Sequence, residues 1–167
     1  MTTREFKDML DLPVVSTDPA REIGRVHEVL FNPGANALFG LVVSPTEKED
    51  PLLLVRLKAI RTIGKDAVMI TSLVATEPFE QNAEAQEISA AGGYLSGMNI
   101  MTESGESIGK VDKVTINEDG TVASYHSTTG LFGSKHDIEP SEVVSGSKDK
   151  LIISDSAREG ATKTVTS

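Results

Sequence analysis

The sequence predicts an all-β chain: two tandem small β-barrels with short helical turns and a disordered C-terminal tail. Three observations predict it. Strand-like runs are short, β-branched and separated by turn residues at roughly ten-residue spacing, as in sandwiches and barrels. The series occurs twice, with Ile23-Gly24-Arg25-Val26 returning as Ile108-Gly109-Lys110-Val111 at an offset of 85. The 167 residues are 38% hydrophobic and 25% charged, which suits one globular domain or two small ones and is too apolar for a disordered chain.

Each copy opens on a strand, expected over 22–31 and again over 107–117. Val29 and Phe31 alternate onto one face, but Val26 falls on the other. A bulge near His27–Glu28 would bring Val26 round to the same side, a device that barrels use to curl. The glycine of Ile-Gly-Arg/Lys-Val marks close backbone approach or a sharp coil. Turns follow at Asn32-Pro33-Gly34-Ala35-Asn36 and Asn117-Glu118-Asp119-Gly120. Gly tolerates positive φ, Pro presets φ, and Asn and Asp bond their own backbone. Further strands are expected over 37–44, 51–57 and 66–72, and over 121–128, 135–139 and 150–155. Short helical turns are expected at Leu57–Arg61 and Pro140–Val144, the second started by Pro140 with Ser141-Glu142 behind it.

These elements divide the chain into a first barrel over 1–75, an acidic linker over 76–93, a second barrel over 94–156 and a disordered tail over 157–167. Glu77, Glu80, Glu84 and Glu87 fall at helical spacing in the linker, whose middle reads as a short exposed helix stopped at Gly92-Gly93. Units this small sit at the low end of what folds alone. The two copies are expected to pack about a pseudo-twofold, and any barrel edge left open offers a route to self-association.

Charge argues against nucleic acid. Lys and Arg total 16 against 25 Asp and Glu, a net charge of −9. The excess is even, with 9 basic and 13 acidic residues over 1–84 and 7 and 12 over 85–167, so neither half is a hidden basic module. There is no Trp, and Tyr94 and Tyr125 are the only tyrosines, so stacking platforms are scarce. The chain has no cysteine, which excludes disulfides and thiolate chemistry. No apolar run reaches the ~18–20 residues of a membrane span. The charged start Met-Thr-Thr-Arg-Glu-Phe-Lys-Asp has no apolar signal core, so the expected location is the cytoplasm, at most peripheral to a membrane complex.

No catalytic, cofactor or metal motif emerges. His27, His126 and His136 are the only histidines, and there is no Gly-x-Ser-x-Gly elbow. His126, His136, Asp137 and Glu139 form one local cluster without ligand spacing such as His-Glu-x-x-His. Asn117–Gly120 fails as an EF-hand, because Thr115 and His126 stand where carboxylates are required. Gly130–Lys135 fails as a phosphate loop, because Thr128 replaces the first Gly and Lys135 follows Ser134. One loop invites a sharper expectation: Leu131 and Phe132 stand between Gly130 and Gly133, whereas the matching loop Ser44–Pro51 is polar and acidic. Leu131 and Phe132 are therefore the candidate partner-binding residues.

The run Ile23–Pro33, then Leu38–Val43, then Leu57–Val68 resembles the PRC-barrel family, named after the cytoplasmic domain of the photosynthetic reaction centre H subunit. The second copy keeps Glu103–Val111 and Gly130–Pro140 and is more diverged. The resemblance implies small β-barrels that act as binding and assembly modules without a catalytic signature. It makes the expected function a non-enzymatic protein-binding adaptor or scaffold, with another protein as partner and no cofactor. It also suggests two alternatives: an accessory subunit of a membrane-associated electron- or proton-transfer complex, and a ribosome-assembly factor.

Overall fold

The structure, a computed structural model, describes residues 3–94, 97–129 and 134–156, with the backbone alone at 128, 129 and 134–136. The chain begins with β1 (Arg4–Glu5) and the single-turn α1 (Phe6–Met9). The first copy then contributes β2 (Pro13–Asp18), β3 (Ala20–Asn32), β4 (Ala37–Pro45), β5 (Leu53–Arg56), β6 (Ile60–Ile63), β7 (Val68–Ser72) and β8 (Thr76–Pro78). After α2 (Ala83–Ala90), the second copy contributes β9 (Asn99–Thr102), β10 (Ser107–Ile116), β11 (Val122–Thr129), β12 (Ser134–Ile138), β13 (Val143–Gly146) and β14 (Lys150–Ile153).

The strands form two sheets of the same design. The first runs β6-β7-β2-β3-β4-β5-β8, and the second runs β13-β14-β9-β10-β11-β12, with β1 added alongside β10. Each sheet holds one parallel pair, β2 with β7 and β9 with β14; the other pairs are antiparallel. The expected helical turns are 3₁₀ turns, Leu57–Ala59 and Pro140–Glu142, and each leads into a strand that crosses to the far edge of its sheet. The fold is thus mostly β and built from two sheets, the first curled into a half-barrel.

The expected bulge is present. Val26 pairs with Val43 and Glu28 with Val42, so His27 is the extra residue. Val26 and Val29 both reach the core as a result. The second copy repeats the device, with Val111 opposite Ser127 and Lys113 opposite His126, leaving Asp112 extra. Gly24 lies where a Cβ would stand 2.2 Å from the Ser44 carbonyl oxygen, so this crossing admits only glycine without backbone movement.

The sequence-based expectations lack β1, β2, β6, β8, β9 and β13. Each has six residues or fewer and at most two buried ones, too few to print an alternation. The linker helix also differs from expectation. Asn82 caps α2, its Oδ1 accepting from the Ala85 amide at 2.8 Å. Ala85 and Ile88 are buried, so α2 is packed rather than exposed, with Glu84 and Glu87 left on the wet side. It ends as expected at two glycines of positive φ, Gly92 and Gly93.

The two copies share one core. Phe31 and Val29 from the first sheet and Tyr125, Val114 and Ile116 from the second belong to a single buried cluster, joined by Phe6 and Met9 of α1. Phe31 lies 5.7 Å from the Phe6 ring and 6.1 Å from the Tyr125 ring, tilted and edge-on respectively. Polar contacts across the seam include one exchanged pair. The Leu38 amide donates to the Gly120 carbonyl and the Val122 amide to the Asn36 carbonyl, both at 2.9 Å. Leu38 and Val122 are equivalent positions in the two copies, as are Asn36 and Gly120. Contacts that map onto themselves when the copies are swapped define a pseudo-twofold axis.

Candidate protein-binding surface

The inner faces of the two sheets are alike; the outer faces are not. In the first copy, Leu30, Val42 and Leu54 lie across β3, β4 and β5, and with Phe39 they form a second apolar cluster. Ala85 and Ile88 of α2 close it, and Ser89 Oγ donates to Glu28 Oε2 at 2.7 Å at its margin. Register assigns the counterparts in the second copy: Thr115 for Leu30, His126 for Val42, Asp137 for Leu54 and Lys113 for Glu28. The face that α2 seals in the first copy is polar in the second, and among the described residues α2 has no counterpart there.

These side chains form two linked groups. His126 Nδ1 lies 2.6 Å from Asp137 Oδ1, and Nε2 lies 3.2 Å from Thr115 Oγ1. Lys113, opposite His126 in the register, donates to Glu5 Oε1 at 2.9 Å, and Lys7 donates to Glu5 Oε2 at 3.2 Å. The two ammonium groups hold the Glu5 carboxyl below its usual range, and Glu5 raises Lys113 in return. Glu5 is placed by β1 pairing with β10, Glu5 opposite Thr115, and by a capping box in which its amide donates to Asp8 Oδ2 at 3.1 Å.

A hydroxyl, an imidazole and a carboxylate in line suggest an activated nucleophile. The Thr115 hydroxyl, however, also donates to the Ser124 carbonyl at 3.3 Å, which competes with His126 for its proton. The Asp137 side chain is 70% exposed and the His126 side chain 24%. Two of the clefts among the described residues lie elsewhere. One of about 380 Å³ is lined by residues of both charges, including Glu22, Arg25, His27 and Lys48. The other, of about 330 Å³, has Arg56 stacked 4.8 Å over the Phe39 ring. The first also holds Ser44 and Thr46, but neither hydroxyl is hydrogen-bonded to His27.

Of the residues singled out in the sequence, Leu131 and Phe132 lie outside the described residues. His126 and Asp137 do meet. Glu139 is turned into the neighbouring 3₁₀ turn, where its amide donates to Glu142 Oε1 at 3.0 Å. Among the described residues, no group of three or more His, Asp and Glu side chains could hold a metal ion. Among them, too, no helix is long and apolar enough to cross a membrane. Sequence reasoning missed Lys113 and Thr115. The signal was available: setting the copies side by side puts Thr115 against Leu30 and His126 against Val42.

No curated protein matches the chain. The PRC-barrel domain matches it in two segments, residues 1–76 and 93–159, which correspond to the two copies. With two sheets of one topology, a bulge repeated at the same place and a family match across both copies, the chain belongs to the PRC-barrel domain family.

Proposed function

We propose that the protein is a non-enzymatic protein-binding module, an adaptor or scaffold that takes its partner on the outer face of the second sheet. One observation carries the reading. The same face is sealed by α2 in the first copy; in the second, Thr115, His126 and Asp137 replace its apolar residues, Lys113 replaces Glu28, and among the described residues no counterpart of α2 covers them. A face that natural selection had left merely uncovered would need only to be polar; this one holds its side chains in fixed hydrogen-bonded geometry, which favours recognition. The test is affinity capture of the tagged chain from its native lysate, with soluble and membrane fractions run separately. A specific soluble partner is expected, and His126→Arg should lose it with melting unchanged. Capture unaffected by His126→Arg would remove this face from the reading.

A second reading, an accessory subunit of a membrane-associated proton-transfer complex, is favoured by the Asp137–His126–Thr115 hydrogen-bonded line. It expects capture only from membranes, together with subunits of such a complex.

A further inference from the structure

We propose that the outer edge of β12 takes an extended peptide segment of a protein partner as an added antiparallel strand, with a lysine or arginine of that segment opposite Asp137. The inference rests on the protein-binding reading and names the chemistry of the partner.

The first copy already carries such a strand. β8 lies on the outer edge of β5, pairing Leu53 with Pro78, Leu54 with Glu77 and Val55 with Thr76. The second copy reproduces β5 as β12: Val42 pairs with Leu54 as His126 pairs with Asp137, and Leu41 with Val55 as Tyr125 pairs with Ile138. Yet among the described residues the second sheet ends at β12. An edge strand presents a row of backbone donors and acceptors that another extended segment can satisfy. β5 demonstrates that this position in the fold accepts an antiparallel neighbour, and in which register.

The register also sets the side-chain requirement. Residues directly opposite on an antiparallel pair share a face. In the first copy Glu77 is opposite Leu54, so the residue of the incoming strand at that position lies opposite Asp137. The Asp137 side chain is 70% exposed, and its contact to His126 is made by Oδ1. A carboxylate on an exposed edge favours a cation across the pair and disfavours a second carboxylate, so a copy of β8 itself, with Glu77, is the wrong ligand. The position opposite Ile138 corresponds to Thr76, next to a buried residue, and suits a small or β-branched side chain. The net charge of −9 points the same way, toward a basic segment.

The experiment uses the full-length chain and a labelled, end-blocked peptide with the sequence of residues 73–81. One form has the native glutamate, one carries the E77K change, and a third is the E77K form with its strand amides N-methylated. Fluorescence anisotropy reads affinity, and backbone amide shifts read location. The E77K peptide should bind about threefold to tenfold tighter than the native form, with shifts centred on 134–138. Asp137→Lys should reverse the preference, and the N-methylated form should not bind. No binding of any form, or a preference that Asp137→Lys leaves unreversed, would overturn the proposal. So would a dimer that protects the β12 amides, or peptide affinity gained on ending the chain at Ser156, since a second copy or the chain's own C-terminal residues would then hold the edge. If the partner captured by the wild-type chain is not displaced by the E77K peptide and leaves the β12 amides unshifted, the strand proposal fails while the protein-binding reading stands.

Discussion

Replacing Phe31 by alanine tests whether the two copies are one folding unit. Phe31 belongs to β3 of the first copy, is fully buried, and packs on Phe6 at 5.7 Å and on Tyr125 of the second copy at 6.1 Å. Removing a buried phenyl ring costs about 3–5 kcal/mol, the lost transfer energy plus the unfilled cavity. In a chain of this size each kcal/mol moves the melting temperature by about 2–4 °C, so the expected shift is about 6–20 °C. Because the ring serves one shared cluster, β4 and β11 should lose protection together. Calorimetry should show one transition, displaced as a whole, and residue-resolved amide exchange should show equal losses in both copies. Two separable transitions, with the amides of β11 unchanged, would refute the shared core.

The remaining predictions are narrower. Tyr125→Phe removes the hydroxyl that donates to Asn36 Oδ1 across the seam and should cost about 1 kcal/mol in denaturant titration. Burial also pushes the Tyr125 phenol well above its usual range, so in the folded wild type its phenolate band should be missing at a pH where a free tyrosine has titrated. Gly24→Ala should destabilise by about 1–3 kcal/mol or more, since its Cβ would meet the Ser44 carbonyl. Ile88→Ala should cost about 2–5 kcal/mol by opening the cluster under α2, with amide exchange rising in α2 before β10. Glu5 has a lowered folded pKa, so its contribution to stability is present above the unfolded value and is lost as the pH falls through the folded one. Glu5→Gln should therefore flatten part of the acid limb of the stability curve at low salt, and the difference should shrink in high salt because the pairs are exposed.

The duplicated design was legible before any coordinates. The offset between Ile23-Gly24-Arg25-Val26 and Ile108-Gly109-Lys110-Val111 carried the repeat, and the out-of-phase Val26 carried the bulge at His27. These are local signals, written in a few adjacent residues. β2, β6, β9 and β13 were not legible, because none carries a run of three apolar residues such as Leu53-Leu54-Val55 in β5 or Leu151-Ile152-Ile153 in β14. The burial of α2 was half legible: Ala85 and Ile88 share a helix face, but four glutamates in the segment masked it. The candidate surface was present in the sequence only as a comparison between distant positions, Leu54 against Asp137 and Val42 against His126, whose alignment depends on knowing which strands pair.

The sequence by itself determined the class, the duplication, the turns and the acidic balance, since these follow from periodicity, glycine and proline placement, and composition. Only the tertiary structure decided that β1 of the N-terminus joins the second sheet, that the copies bury one core about a pseudo-twofold, and that one outer face is apolar and sealed by α2 while its twin is polar. The physical reason is range. Backbone preference and hydrophobic alternation act over a few residues, whereas a shared core and a covered face depend on which distant surfaces exclude water together, and that is settled only when the whole chain has packed.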